Sequence, residues 1–126
     1  MQKQSKVPTK KLNNGLEIPV MGFGTFGFQE NELVDVIKTA ILEHGYRRID
    51  TAAEYKNEEL VGKALQECFA QGIKREEIFV STKLWRSDRG RVEDALRDSL
   101  QKLKLDYVDL YLIHWMLPEI KSKDPL

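Results

Sequence analysis

The chain has 126 residues, 41% of them hydrophobic and 32% charged, and its 20 basic and 20 acidic residues cancel. That length suits one domain, and zero net charge leaves no global field to draw in nucleic acid or an anionic membrane. No apolar run approaches the ~20 residues that span a bilayer, and Met1 to Lys11 lacks the apolar core of a signal peptide. Cys68, the one cysteine, has no partner for an internal disulfide, which fits a reducing compartment. A cytoplasmic protein with neither nucleic-acid nor membrane partners is expected.

Met1 to Lys6 reads as a disordered tail. Thr9 to Leu12, Asn13-Asn14-Gly15 and Leu16 to Ile18 predict a hairpin whose turn needs a positive φ. Pro19 interrupts it, and Val20-Met21-Gly22 predicts a short first strand. A helix follows over Asn31 to His44, with Leu33, Ile37, Ala40 and Ile41 on one face, Asn31 as its cap and Gly45 at its end. Arg47 to Asp50 is the second strand. Asn57 to Gln71 is the second helix, striped by Leu60, Val61, Ala64, Leu65 and Cys68 and ended by Gly72. In that stripe Cys68 reads as a small buried hydrophobe. Ile78 to Lys83 is a β-branched strand, and Arg89 to Leu103 a third helix, striped by Val92, Ala95, Leu96, Leu100 and Leu103. Tyr107 to His114 is apolar apart from Asp109, so it predicts a strand buried on both faces. Leu117 to Leu126 carries two prolines and no pattern.

Strands and helices thus alternate, which implies right-handed βαβ units and a parallel sheet. In such folds the side chains at the C-terminal strand ends converge on one face. Asp50, Lys83 and His114 each close a strand, and Tyr55 lies five residues beyond the second. Adding hydride to a carbonyl leaves an alkoxide that needs a proton, and a phenol near its reference pKa of about 10 is a poor acid at neutral pH. A nearby ammonium favours the phenolate, a carboxylate anchors the ammonium, and an imidazole N–H can orient the carbonyl oxygen. Tyr55, Lys83, Asp50 and His114 supply those four types. Each also has an ordinary reading: a turn cap for Asp50, half-exposed packing for Tyr55, a solvated strand end for Lys83 and a satisfied core residue for His114.

Gly45-Tyr46-Arg47-Arg48-Ile49-Asp50-Thr51-Ala52, with Glu58 and Gly62, resembles the first signature of the aldo-keto reductases. Gly22-Phe23-Gly24-Thr25, Ser81-Thr82-Lys83-Leu84-Trp85 and Leu105 to Trp115 resemble further landmarks of that family in the right order, so the resemblance runs from about Thr9 to Pro118. It implies an α/β fold of the (β/α)8 TIM-barrel type, closed below by an N-terminal hairpin, that reduces aldehydes and ketones with NADPH. The family's catalytic residues would fall on Asp50, Tyr55, Lys83 and His114. Gly24, Thr25 and Asp50 would lie near the nicotinamide, and Phe26, Trp85, His114 and Trp115 would line the pocket of a small-molecule carbonyl substrate. No metal is implied. Arg48 and Met116 depart from the usual pattern, in which a smaller residue or histidine and a proline are common, and neither belongs to the four.

A full barrel of this type takes about 250 residues. Residues 1–126 are therefore expected to be the N-terminal half of a reductase domain, roughly four βα units. The segments that in the family bind the adenosine phosphate, hold the carboxamide and stack on the nicotinamide would come later. By itself such a half is expected to turn over little or no substrate and to self-associate through exposed strand edges.

A rival reading rests on Gly22 to Gly27, which matches G-x-G-x-x-G, with Asp50 as a ribose-binding acid. It would make the chain the first half of a Rossmann dinucleotide domain. That fold needs a helix opening within the glycines so that its N-terminus meets the pyrophosphate, whereas the helical pattern here starts near Asn31.

Overall fold

Asn14 and Gly15 build the first turn as their residue types require. Gly15 takes φ 86°, and Asn14 Oδ1 accepts from the Leu16 amide at 3.1 Å. The computed structural model describes residues 7–117, so the expectations for residues 1–6 and 118–126 lie outside the described residues. The turn joins β1 (Thr9–Lys11) to β2 (Glu17–Pro19), antiparallel with Thr9 opposite Pro19. The strand predicted at Val20-Met21-Gly22 does not form. The Val20 amide instead donates to the Pro8 carbonyl at 2.8 Å, which prolongs the hairpin. The strand is β3 (Phe23–Gly24), two residues long.

The first helix, α1 (Glu30–Leu42), is capped at Gln29 rather than Asn31, because the Gln29 carbonyl takes the Leu33 amide and the Asn31 backbone is already helical. Its predicted stripe of Leu33, Ile37, Ala40 and Ile41 is buried. Gly45, at φ 73°, turns the chain so that the Tyr46 amide reaches the Ala40 carbonyl at 2.9 Å. Arg47 adds a cation at that helix end, its guanidinium donating to the Ile41 and Tyr46 carbonyls. Next come β4 (Arg48–Asp50), a 3-10 turn at Ala53–Tyr55, α2 (Glu58–Ala70), a second 3-10 turn at Arg75–Glu77 and β5 (Phe79–Leu84). Arg86–Arg91 is a 3-10 segment, so the third helix starts later than its pattern predicts, as α3 (Val92–Leu103). Within its stripe Val92 is 47% exposed, while Ser99 occupies a buried position.

The last strand, β6 (Leu110–Ile113), is shorter than predicted and is not buried on both faces: Ile113 is 67% exposed. Among the described residues only β5 pairs with it. Asp109 stands just before β6 and is not part of it. Its carboxylate accepts from the Val80 amide at 2.8 Å and from Arg75 at 3.0 Å, and Arg75 also donates to the Ile78 and Tyr107 carbonyls.

The four parallel strands run β3-β4-β5-β6 in chain order, with α1, α2 and α3 over one face. This is the strand order of a partial barrel. It excludes the Rossmann alternative, because α1 opens at Glu30, beyond the glycine run, and the strands do not reverse order. No helix among the described residues is long and apolar enough to cross a membrane.

The core lies between helices and sheet, where Leu33, Ile37, Ile41, Ile49, Val61, Leu65, Val80 and Leu103 pack together. Two signature residues explain how the helices sit there. A β-carbon on Gly62 would stand 2.5 Å from the Lys102 carbonyl oxygen, so α2 and α3 meet backbone to backbone only because it is absent. Glu58, 2% exposed, accepts from Thr82 at 2.8 Å and from Ser99 at 3.0 Å, tying α2 to β5 and to α3. Burial pushes the Glu58 carboxyl above its ordinary value of 4.5, and the two hydroxyls offset only part of that.

Two outcomes follow. Gly62→Ala should cost about 1–3 kcal/mol in urea unfolding, because the obstructing atoms are backbone and cannot turn away. The folded chain holds the Glu58 proton to higher pH than the unfolded chain does, so this group's contribution to stability falls as pH rises from 4.5 through the folded midpoint. Wild type should therefore lose stability relative to Glu58→Gln over that range, measured by unfolding at a series of pH values.

Candidate active site

Register and pleat bring the site together. Gly24 lies opposite Asp50, Asp50 opposite Ser81, and Lys83 opposite Leu112. Side chains alternate along a strand. Ile49 and Val80 pack under the helices and Thr82 bonds Glu58 there, so Asp50, Ser81 and Lys83 share the other face. His114 follows β6, and its amide bonds the Leu84 carbonyl at 3.1 Å, which sets it one residue past the end of β5. Tyr55 arrives on the 3-10 turn after β4, closed by Lys56 at φ 54°.

Lys83 is the hub. Its Nζ donates to Asp50 Oδ2 at 2.7 Å, to the Thr51 carbonyl at 2.9 Å and to Tyr55 Oη at 3.4 Å. An ammonium has three protons, and these three acceptors use them all. Asp50 is held twice, because Ser81 Oγ donates to its Oδ1 at 2.7 Å. The Lys83 side chain is 14% exposed and that of Asp50 31%.

Aromatic rings surround the phenol. Phe26 tilts against Tyr55 with centroids 5.1 Å apart, His114 meets Tyr55 edge-on at 5.5 Å, and Trp85 meets His114 edge-on at 5.4 Å. Asp50, Tyr55, Lys83 and His114 are thus brought to one mouth, with Phe26 and Trp85 beside them. The Trp115 ring makes none of these contacts; that residue is 57% exposed and its carbonyl accepts from Arg89 at 2.7 Å. Gly24 is exposed at its strand end, and no atom stands within 4 Å of where its β-carbon would be.

Thr25 is fully buried behind the mouth rather than at its surface. Its hydroxyl donates to Thr51 Oγ1 at 2.9 Å, the Thr51 hydroxyl donates to Asn57 Oδ1 at 3.4 Å, and Asn57 Nδ2 returns to the Thr25 carbonyl at 2.8 Å. This ring of bonds joins the ends of β3 and β4 to the start of α2 and holds Thr51, whose carbonyl takes a Lys83 proton. Sequence reasoning missed Ser81, Thr51 and Asn57 as parts of the site. The available signal was small polar residues where apolar ones would pack: Ser81 within β5, Thr51 just after β4 and Asn57 just before α2.

The electrostatics bear on His114. Burial pushes its imidazole below the ordinary value of 6.5, and the Lys83 ammonium adds to the effect. At neutral pH the ring is therefore uncharged. Such a mouth can place a neutral imidazole N–H and a phenol O–H on one small polar group, with an ammonium behind the phenol to stabilise negative charge as its proton leaves.

The model of the Aldo/keto reductase family matches residues 20–124 of this chain. The chain belongs to the aldo/keto reductase family. Among its relatives in that family, methylglyoxal reductase DkgA of Escherichia coli strain K12 is 52% identical over 110 residues, 87% of this chain and 38% of that protein. The NADP-dependent D-sorbitol-6-phosphate dehydrogenase of Malus domestica is 50% identical over 111 residues, 87% of this chain and 36% of that protein. A crystal structure of a Bombyx mori aldo-keto reductase in complex with NADP superposes with a TM-score of 0.86 at 43% identity, covering 94% of this chain and 41% of that one. The chain thus spans about two-fifths of the length of these aldo/keto reductases.

The position of the Lys83 ammonium makes one prediction about its neighbour. By NMR titration the His114 imidazole should have its midpoint below 6.5, and Lys83→Met should move that midpoint upward, because removing a cation favours the imidazolium.

Proposed function

We propose that this chain carries the proton-transfer centre of an NADPH-dependent reductase that converts small aldehydes and ketones to alcohols. The observation that carries the reading is the Lys83 ammonium bonded at once to Asp50, to the Thr51 carbonyl and to the Tyr55 hydroxyl. A lysine held this way faces a phenol with a fixed positive charge. It is also supported by the relatives, two of which are by name a methylglyoxal reductase and an NADP-dependent dehydrogenase.

The residues present fit a flat nicotinamide ring at this mouth. Gly24 leaves open space beside Asp50 at the strand ends, where a side chain would stand in the way. In this reading Gly24 and Asp50 border the ring, and buried Thr25 supports them from behind through its bonds to Thr51 and Asn57. When bound, NADPH supplies the hydride.

The chain's own residues manage the oxygen of the substrate. His114, uncharged at neutral pH, donates an N–H to the carbonyl oxygen and orients it. As negative charge grows on that oxygen, Tyr55 gives up its hydroxyl proton to it, the O–H bond of the phenol breaking as the new alcohol O–H forms. Lys83 stabilises the phenolate left behind, and Asp50 keeps Lys83 from following the charge outward. Phe26 and Trp85 give the mouth apolar walls, which exclude water and suit the carbon skeleton of the substrate. Trp115 joins that wall in this reading, from its exposed place beside His114.

A chimera tests this. Residues 20–117 of the chain should replace the matching segment of the E. coli relative with retention of NADPH-dependent methylglyoxal reduction. In that chimera Tyr55→Phe should lower kcat by about 10²–10⁴-fold, the usual worth of a positioned general acid. A folded chimera that binds NADPH but is inactive, or a Tyr55→Phe chimera with undiminished kcat, would overturn the reading. The 126-residue chain by itself should show little turnover in the same assay.

A further inference from the structure

We infer that Ser81 is a positioning residue that fixes the plane of the Asp50 carboxylate against Lys83, and so aims the ammonium at the phenol. The inference deepens the reductase reading and rests on it for its catalytic meaning, though its geometry stands independently.

An aspartate carboxylate has two equivalent oxygens on a torsion with broad, roughly two-fold preferences. Pairing with a single lysine proton does not fix that torsion, because the carboxylate can swing and keep the contact. Asp50 has a second contact. Ser81 is its direct cross-strand neighbour, is fully buried, and donates its one hydroxyl proton to Oδ1 at 2.7 Å. With Oδ1 held there, the carboxylate plane is fixed and Oδ2 meets the ammonium at 2.7 Å.

The consequence reaches Tyr55. Two of the three Lys83 protons go to Asp50 Oδ2 and the Thr51 carbonyl, and the third points to Tyr55 Oη at 3.4 Å, the longest of the three bonds. The direction of that third proton is set by where the first two acceptors stand. The Thr51 carbonyl is fixed, because the Thr51 amide bonds the Ser81 carbonyl at 2.9 Å. The Asp50 carboxylate is the one acceptor free to turn, and the Ser81 hydroxyl is what stops it. Ser81 touches neither the phenol nor the site of the substrate, so it acts only through Asp50 and Lys83.

The test compares Ser81→Thr with Ser81→Val in the 126-residue chain, since these two have nearly the same shape and differ by the hydroxyl. The readout is proton exchange at the Lys83 ammonium, followed by 1H–15N spectroscopy and identified by its loss in Lys83→Met. Ser81→Thr should exchange within about twofold of wild type. Ser81→Val should exchange about tenfold faster, the factor expected for loss of one hydrogen bond to a charged group. In the chimera described above, Ser81→Val should lower kcat by a similar factor, about tenfold, with KM little changed, and Ser81→Thr should restore it. Equal ammonium exchange in the Val and Thr variants overturns the inference. Fast exchange in Ser81→Val together with full kcat in the Tyr55→Phe chimera would leave the role of Ser81 standing and reject the reductase reading instead. Ser81→Ala supplies the same comparison should Ser81→Val fail to fold, as judged by circular dichroism.

Discussion

A lysine whose side chain is only 14% exposed must have its charge compensated, and much of this structure is arranged around that need. A half-buried cation is costly unless every proton finds an acceptor and an anion lies close by. Lys83 meets the requirement with acceptors from three places: a carboxylate at the end of β4, a carbonyl one residue later and a phenol on the following turn. Parallel pairing of β4 with β5 makes this feasible, because it brings Asp50 beside Ser81 and places Lys83 two residues further along the same face. An antiparallel pair would have carried the two strand ends to opposite rims.

Behind the mouth, buried polar groups hold the elements that present it. The Thr25, Thr51 and Asn57 bonds join two strand ends to the start of α2, and Glu58, the next residue, reaches to Thr82 on β5 and Ser99 on α3. The two arrangements start from adjacent residues of the chain, Asn57 and Glu58. The first steadies the Thr51 carbonyl that Lys83 uses. The second fixes the helical layer, where Gly62 lets α2 approach the end of α3 backbone to backbone. At the far rim Asp109 and Arg75 do similar work, linking the start of β6 to β5 through the Val80 amide. His114 lies five residues after Asp109, just past the strand that this link anchors.

One group of exposed apolar side chains lies at the unpaired β6 edge of the described sheet, and another in the hairpin and the segment around β3. Ile113 on β6 and the residues after it face solvent, including Trp115 and Met116, while Ile49 and Val80 on the central strands are fully buried. The chain spans about two-fifths of the length of its relatives in the aldo/keto reductase family, and the four strands described here form the corresponding part of a barrel. The polar mouth is complete as far as Asp50, Tyr55, Lys83 and His114 are concerned, and the aromatic wall beside them is formed by Phe26 and Trp85.

The sequence by itself determined the order and type of the main elements, the parallel sheet and the convergence of four polar side chains at its C-terminal rim. Apolar periodicity and glycine stops are local signals, and where a neighbour covers the stripe they survived folding: that of α1 is buried as spaced, and Gly45 and Gly72 take the positive φ their positions demand. Its family resemblance also pointed to the right family. What only the tertiary structure decided are the relations between elements distant in the chain. The strand after the hairpin moved from Val20 to Phe23, because a strand of two residues is fixed by its pairing partner and not by its own pattern. Val92 and the outer half of β6 face solvent although their patterns read as core, because apolar spacing says which residues share a face and not what covers it. That Ser81 lies opposite Asp50, and that Gly62 sits under the Lys102 carbonyl, follow from register and helix packing. Those are set by contacts across thirty or more residues of chain, and no local pattern carries them.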